Sequence, residues 1–119
     1  MSHTPPDAPQ ASGGPWFIYM VRTGSGSLYT GISTDPERRL GQHQSGRGAR
    51  ALRGKGPLAL AWWQAVGEHG AALRLEYRLK RQSKASKEAL IRQPERWQAL
   101  SQQWLLTQGT GSSTERPPP

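Results

Sequence analysis

Two short runs rich in aromatic and β-branched residues, Trp16-Phe17-Ile18-Tyr19-Met20-Val21 and Ser27-Leu28-Tyr29-Thr30-Gly31-Ile32, are separated only by Arg22-Thr23-Gly24-Ser25-Gly26. Runs of this length and composition read as strands, and glycines between them offer the positive-φ positions that a hairpin loop needs. An antiparallel hairpin is expected. Directly after it, Thr34-Asp35-Pro36-Glu37 is a helix start: either Asp35 caps with Pro36 at the first helical position, or Thr34 and Glu37 form a capping box. This helix should stop near Gly46 in a left-handed cap.

Farther along, Arg47 to Pro57 places four cations among glycines with no sustained period, and reads as a loop. Leu58 to Val66, which contains Trp62 and Trp63, is a nearly continuous apolar run of strand length, as expected for a central or third strand covered on both faces. From Gly70, Ala72, Leu75 and Leu79 recur at helical spacing, which predicts a helix of about four turns. A further helical piece is expected from Ala85 to Arg92, and Trp97, Leu100 and Trp104 predict a C-terminal helix that packs its tryptophans on the domain. The fold class is therefore α/β in the α+β sense: a small three-stranded antiparallel sheet flanked by helices.

At 119 residues the chain suits one core. Its organisation reads as a disordered leader over residues 1–14, a domain over 15–92, a helical extension over 93–106 and a disordered tail over 107–119. Both ends are rich in Pro, Gly and small polar residues, which bury too little apolar surface to offset ordering entropy. Cysteine is absent, so no disulfide or thiolate site exists, and a cytoplasmic location is expected. The scattered His3, His43 and His69 do not support a zinc site. No run approaches a membrane span, and no strongly apolar amphipathic helix would anchor the chain to a membrane.

Formal charge is +8, from 16 Lys and Arg against 8 Asp and Glu. The cationic excess lies between Pro15 and Arg92. Such a field favours polyanions through steering and counterion release. Lys55 is followed by Gly56 instead of Ser or Thr, so a nucleotide-binding phosphate loop is not supported.

Hydrolysis of a phosphodiester requires a polarised phosphate, a deprotonated water and a group to stabilise the developing charge. Candidate parts are present. Arg39 and His43 are four apart and share a helix face, with Leu40 as the only large apolar residue to dock that helix. Tyr19 and Tyr29 stand on adjoining strands and can approach a common point if they share a sheet face. Glu76 falls on or beside the buried stripe of its helix, where a carboxylate requires a cation, a donor or a metal. Taken singly, each has a plainer explanation: strand aromatics, a solvated Arg39, a surface His43, or a Glu76 that pairs with Lys80 one turn on.

The ordered set is more specific than its parts. Phe17-Ile18-Tyr19, then Tyr29-Thr30-Gly31, then Asp35-Pro36-Glu37-Arg38-Arg39-Leu40 with His43, the Gly46-Arg47-Gly48 element and Glu76 resemble the GIY-YIG endonuclease superfamily. The similarity is greatest to its small stand-alone bacterial members and covers Trp16 to about Arg92. It implies a metal-dependent DNA endonuclease acting on structured or damaged DNA without strong sequence readout, with Mg²⁺ or Mn²⁺ as cofactor. Tyr19 would be the first-motif tyrosine. Tyr29 would take a proton from the attacking water, directly or through metal-bound hydroxide, and His43 would assist as acid/base, as the alternative general base, or as a phosphate ligand. Gly31 would permit close backbone approach, Arg39 would hold the scissile phosphate, and Glu76 would be the sole protein ligand of the metal.

Two motif positions depart from the superfamily pattern, Phe17 in place of the first glycine and Thr30 in the middle of the second motif. Ile32 stands where the excision-repair nucleases tend to carry lysine. The cations Arg47, Arg50, Arg53, Lys55, Lys80 and Lys84 are expected to hold the nucleic-acid backbone without reading sequence. DNA is the expected partner, with RNA left open on charge alone. A basic binding module that keeps the scaffold and cleaves poorly is the other function class these residues allow.

Overall fold

Thr23 to Ser27 close the first hairpin: the Thr23 amide donates to Ser27 O at 2.9 Å, and Gly26 sits at φ +94°. Around this hairpin the computed structural model describes residues 14–107; the expected leader and tail lie outside them, apart from Gly14 and Thr107. The chain runs β1 (Trp16–Arg22), β2 (Leu28–Ser33), α1 (Pro36–Gln44), a 3₁₀ turn (Arg50–Leu52), β3 (Ala59–Gly67), α2 (His69–Lys80), α3 (Lys84–Arg92) and α4 (Arg96–Thr107). The expected α+β architecture is present, with strand order β2-β1-β3 and both pairings antiparallel.

The central strand is β1, buried on both faces, and not the apolar Leu58–Val66 run. That run supplies β3 at one side of the sheet, where Trp62 is buried and Trp63 is half exposed. A continuous apolar string cannot tell a covered face from an open one. Here ordinary strand alternation puts Trp62, paired with Met20, and Trp63, paired with Tyr19, on opposite sides of the sheet. Similarly, α2 is shorter than four turns, because the chain leaves the helix at Arg81, whose amide bonds Arg78 O.

Asp35 caps α1 through its carboxylate, which accepts from the Arg38 amide at 3.2 Å, with Pro36 opening the helix. The other end closes as expected at Gly46, at φ +82°. There the Gly46 amide bonds His43 O and the Arg47 amide bonds Gln42 O, the paired bonds of a Schellman cap.

Layers lie on both faces of the sheet. On one, Ile18, Met20 and Trp62 pack against Leu75, Leu79, Leu90, Trp97 and Trp104 from α2, α3 and α4. Trp97 meets Trp62 and Trp104 edge-on at centroid distances of 5.1 and 6.0 Å, the favoured geometry for aromatic pairs. On the other face, Tyr19, Val21, Leu52 and Leu58 form a smaller cluster beneath α1 and the following loop.

One charged link, not expressed by any local pattern, ties α3 to the end of β1. Arg22 donates from both terminal nitrogens to Glu88 at 2.7 and 2.8 Å, and Lys84 lies 3.2 Å from the same carboxylate. The Arg22 guanidinium, by these hydrogen bonds, holds Glu88 down at about 2. A carboxylate depressed in the fold contributes stability that is present above its ordinary value and lost as pH falls towards the depressed one. Urea midpoints should therefore fall between about pH 4.5 and 2, and Glu88→Gln should flatten that segment of the profile.

Candidate active site

Strand register brings the two tyrosines to one face. Tyr19 pairs with Gly31 and Val21 pairs with Tyr29, so all four positions share the side of the sheet that α1 covers. From α1, His43 completes the cluster: Tyr29 meets its ring edge-on at a centroid distance of 5.6 Å, and Tyr19 Oη lies 3.0 Å from His43 Nε2.

The second ring nitrogen fixes the proton. His43 Nδ1 accepts from the Ala49 backbone amide at 3.0 Å, so the ring proton resides on Nε2 and is donated to Tyr19 Oη. The Tyr19 hydroxyl hydrogen is consequently directed elsewhere than the imidazole. Both side chains are buried, Tyr19 at 1% and His43 at 2% exposure. A surface role for His43 is thereby excluded, and Leu40 is not alone in docking α1: His43 and Pro36 are buried and Leu40 only partly so.

Two glycines make this packing possible. A Cβ on Gly31 would stand 2.5 Å from Tyr19 Oη and 2.7 Å from its Cζ, so the glycine makes room for the tyrosine ring lying across it. A Cβ on Gly48 would run into His43 Nδ1. Gly48 thus belongs to the site as the residue that lets the loop backbone reach the imidazole. Its only signal in the sequence is its place in Gly46-Arg47-Gly48. The loop Arg47–Pro57 is not featureless: its 3₁₀ turn buries Leu52, which anchors the segment that presents the Ala49 amide.

Arg39 lies one turn before His43 on α1, half-buried, with a terminal nitrogen donating to Gln42 Oε1 at 2.7 Å. Glu76 comes from a different element. It stands on α2, across the sheet from α1, where α2 packs against β2, the strand that carries Tyr29. Its polar partner is Lys80, at 3.3 Å, and its side chain retains 19% exposure.

No group of three or more His, Asp or Glu side chains that could share a metal occurs among the described residues. A single carboxylate such as Glu76 is a donor of the kind Mg²⁺ takes, with waters and substrate phosphate completing the shell.

The expected phosphate-binding cations divide into two groups. Arg47, Arg50, Arg53 and Lys55 are all exposed on the loop that cups His43. Lys80 and Lys84 sit at the end of α2 and the start of α3, each ion-paired with a glutamate, Glu76 and Glu88. Nearby, burial and then the Lys80 charge pull Lys87 below the usual lysine range. No described helix is long and apolar enough to cross a membrane.

Comparison with known proteins gives the same frame. The GIY-YIG catalytic domain family matches residues 15–89. A UPF0213 protein of Aeromonas hydrophila is 79% identical over 95 residues, covering 80% of this chain and 70% of that protein. A UPF0213 protein of Citrobacter koseri is 56% identical over 86 residues, covering 72% of this chain and 86% of its own. The solution NMR structure of a UPF0213 protein from Bacillus halodurans shares 39% identity over 64% of this chain and 81% of that one, with a TM-score of 0.42. The chain belongs to the GIY-YIG catalytic domain family, a nuclease family, and is a relative of the small bacterial UPF0213 proteins.

Proposed function

We propose that this protein is a divalent-metal-dependent endonuclease that hydrolyses phosphodiester bonds in structured or damaged DNA, in the cytoplasm, with Mg²⁺ or Mn²⁺ as cofactor. The observation that carries the reading is the convergence of Tyr19, Tyr29 and His43 on one sheet face, with Arg39 one turn away. The nuclease unit would run over 15–92, with α4 closing its core.

Burial divides the roles. Tyr19 and His43 are enclosed and hold each other, so they position; Tyr29 and Arg39 are only partly covered and can meet a substrate. Tyr29 is therefore favoured over His43 as the group that accepts the proton of the attacking water. Arg39 would hold the scissile phosphate with its planar donor fork. Glu76 would hold the metal after giving up its ion pair with Lys80, whose ammonium end is exposed and screened by solvent. When bound, that ion would supply Lewis-acid stabilisation of the phosphoryl charge. The exposed loop cations would grip the backbone without reading sequence.

One observation favours a second reading, a basic binding module with weak cleavage: Glu76 is paired with Lys80. A single assay separates them. Labelled duplex, single-stranded and branched DNA, with structured RNA alongside, are incubated with wild type and Glu76→Ala, with and without Mg²⁺ or Mn²⁺. The endonuclease reading expects metal-dependent cutting by wild type, and retained binding with lost cutting by the variant. Equal binding by both with no cutting by either would establish the binding module.

A further inference from the structure

Four large apolar side chains are exposed among the described residues, Leu73 on α2 at 46% being the least so. Leu106, 77% exposed, lies at the far end of α4. Tyr77 is 62% exposed, but the Arg81 guanidinium lies 5.3 Å over its ring. Trp63 is different. It is 50% exposed and pairs directly with Tyr19 across the β1–β3 ladder, so its indole stands on the face that carries the tyrosine–histidine cluster.

Beside it is an open cavity of about 230 Å³, floored by Phe17, Leu60 and Trp63 and walled by Asp35, Pro36 and Glu37 at the start of α1. Aromatic and aliphatic surface at the floor suits the flat face of a ring. Two exposed carboxylates at the wall, in a chain of net charge +8, oppose a phosphate and accept hydrogen bonds from amino groups. Asp and Glu accept from the exocyclic amine of cytosine, and a carboxylate oxygen can accept from that of adenine as well. An aromatic floor is the sequence-tolerant platform on which unpaired bases stack.

We propose that this cavity receives one unpaired base carrying an exocyclic amino group, adenine or cytosine, stacked on Trp63 with its amine towards Asp35 and Glu37. The proposal rests on the nuclease reading and deepens it. It makes an unpaired base next to the cut the feature by which irregular DNA is told from a regular duplex, since a paired base keeps its face in the stack and its amine in the pair.

Binding in EDTA tests this without any cutting. Fluorescence anisotropy is measured on a duplex with a single bulged adenine, cytosine or thymine, and on the fully paired duplex, at fixed salt. Trp63→Ala should weaken binding to the adenine and cytosine bulges about tenfold and leave the paired duplex unchanged, while Trp63→Phe stays within about threefold of wild type. Glu37→Ala should narrow the preference for adenine over thymine. Unchanged bulge affinity in Trp63→Ala, equal weakening on the paired duplex, or wild-type indifference between adenine and thymine would overturn the proposal. Wild type that binds none of these DNAs would overturn the nuclease reading itself, a result separate from all of those.

Discussion

Tyr29→Phe is expected to slow metal-dependent cleavage by about 10²- to 10⁴-fold, the usual loss when a positioned proton-transfer group is removed. The substitution removes one oxygen and keeps the ring, so the edge-on contact with His43 at 5.6 Å is preserved. No charge changes either, and affinity for DNA should stay within about twofold because it rests on the cations. Single-turnover cleavage at saturating protein reads the chemical step, and gel shift in EDTA reads binding. Cleavage at the wild-type rate would remove Tyr29 from the chemistry and shift attention to the Tyr19 hydroxyl, whose hydrogen is not engaged by His43.

Gly31→Ala is expected to lower the cleavage rate by about 10²-fold, because a displacement near 1 Å in a reacting constellation costs about that much. The added carbon would stand 2.5 Å from Tyr19 Oη, inside any real contact distance. Relief is difficult: Tyr19 is 1% exposed and its oxygen is tied to His43. Overpacking of this kind also costs about 1–3 kcal/mol of stability. The variant should nonetheless fold, since the β1–β2 ladder needs only backbone at position 31. Circular dichroism and a urea melt check the fold, and the Tyr19–His43 hydrogen bond can be followed through the imidazole Nε2 proton resonance. A Gly31→Ala protein with normal cleavage would show that Tyr19 need not be held where it is.

The range of the forces involved decides which features of the fold and site are legible in the amino-acid sequence. Local chemistry is readable: glycines for the hairpin, Asp35-Pro36 for the start of α1, Gly46 for its end. So is the composition of the site, because Tyr19, Tyr29 and His43 lie within one hairpin and the helix after it. Long-range facts are not. Nothing local announces that Arg22 at the end of one strand meets Glu88 on α3, or that the Arg47–Pro57 loop returns to give its Ala49 amide to an imidazole. Burial of His43 is hidden for a similar reason: an imidazole satisfied at both nitrogens behaves as a core residue, and only tertiary structure supplies the two partners. The apolar run of β3 misleads in the opposite sense, since half of Trp63 faces solvent beside the site.

The amide of Ala49 belongs to the segment that bears Arg47, Arg50, Arg53 and Lys55, and it is bonded to the ring that sets the Tyr19 phenol. If, as proposed, a phosphate strand is held by those cations, its pull would reach the imidazole through the same segment. On that reading, grip on the polymer and aim of the phenol would share one tether, so loosening the segment should blunt both together.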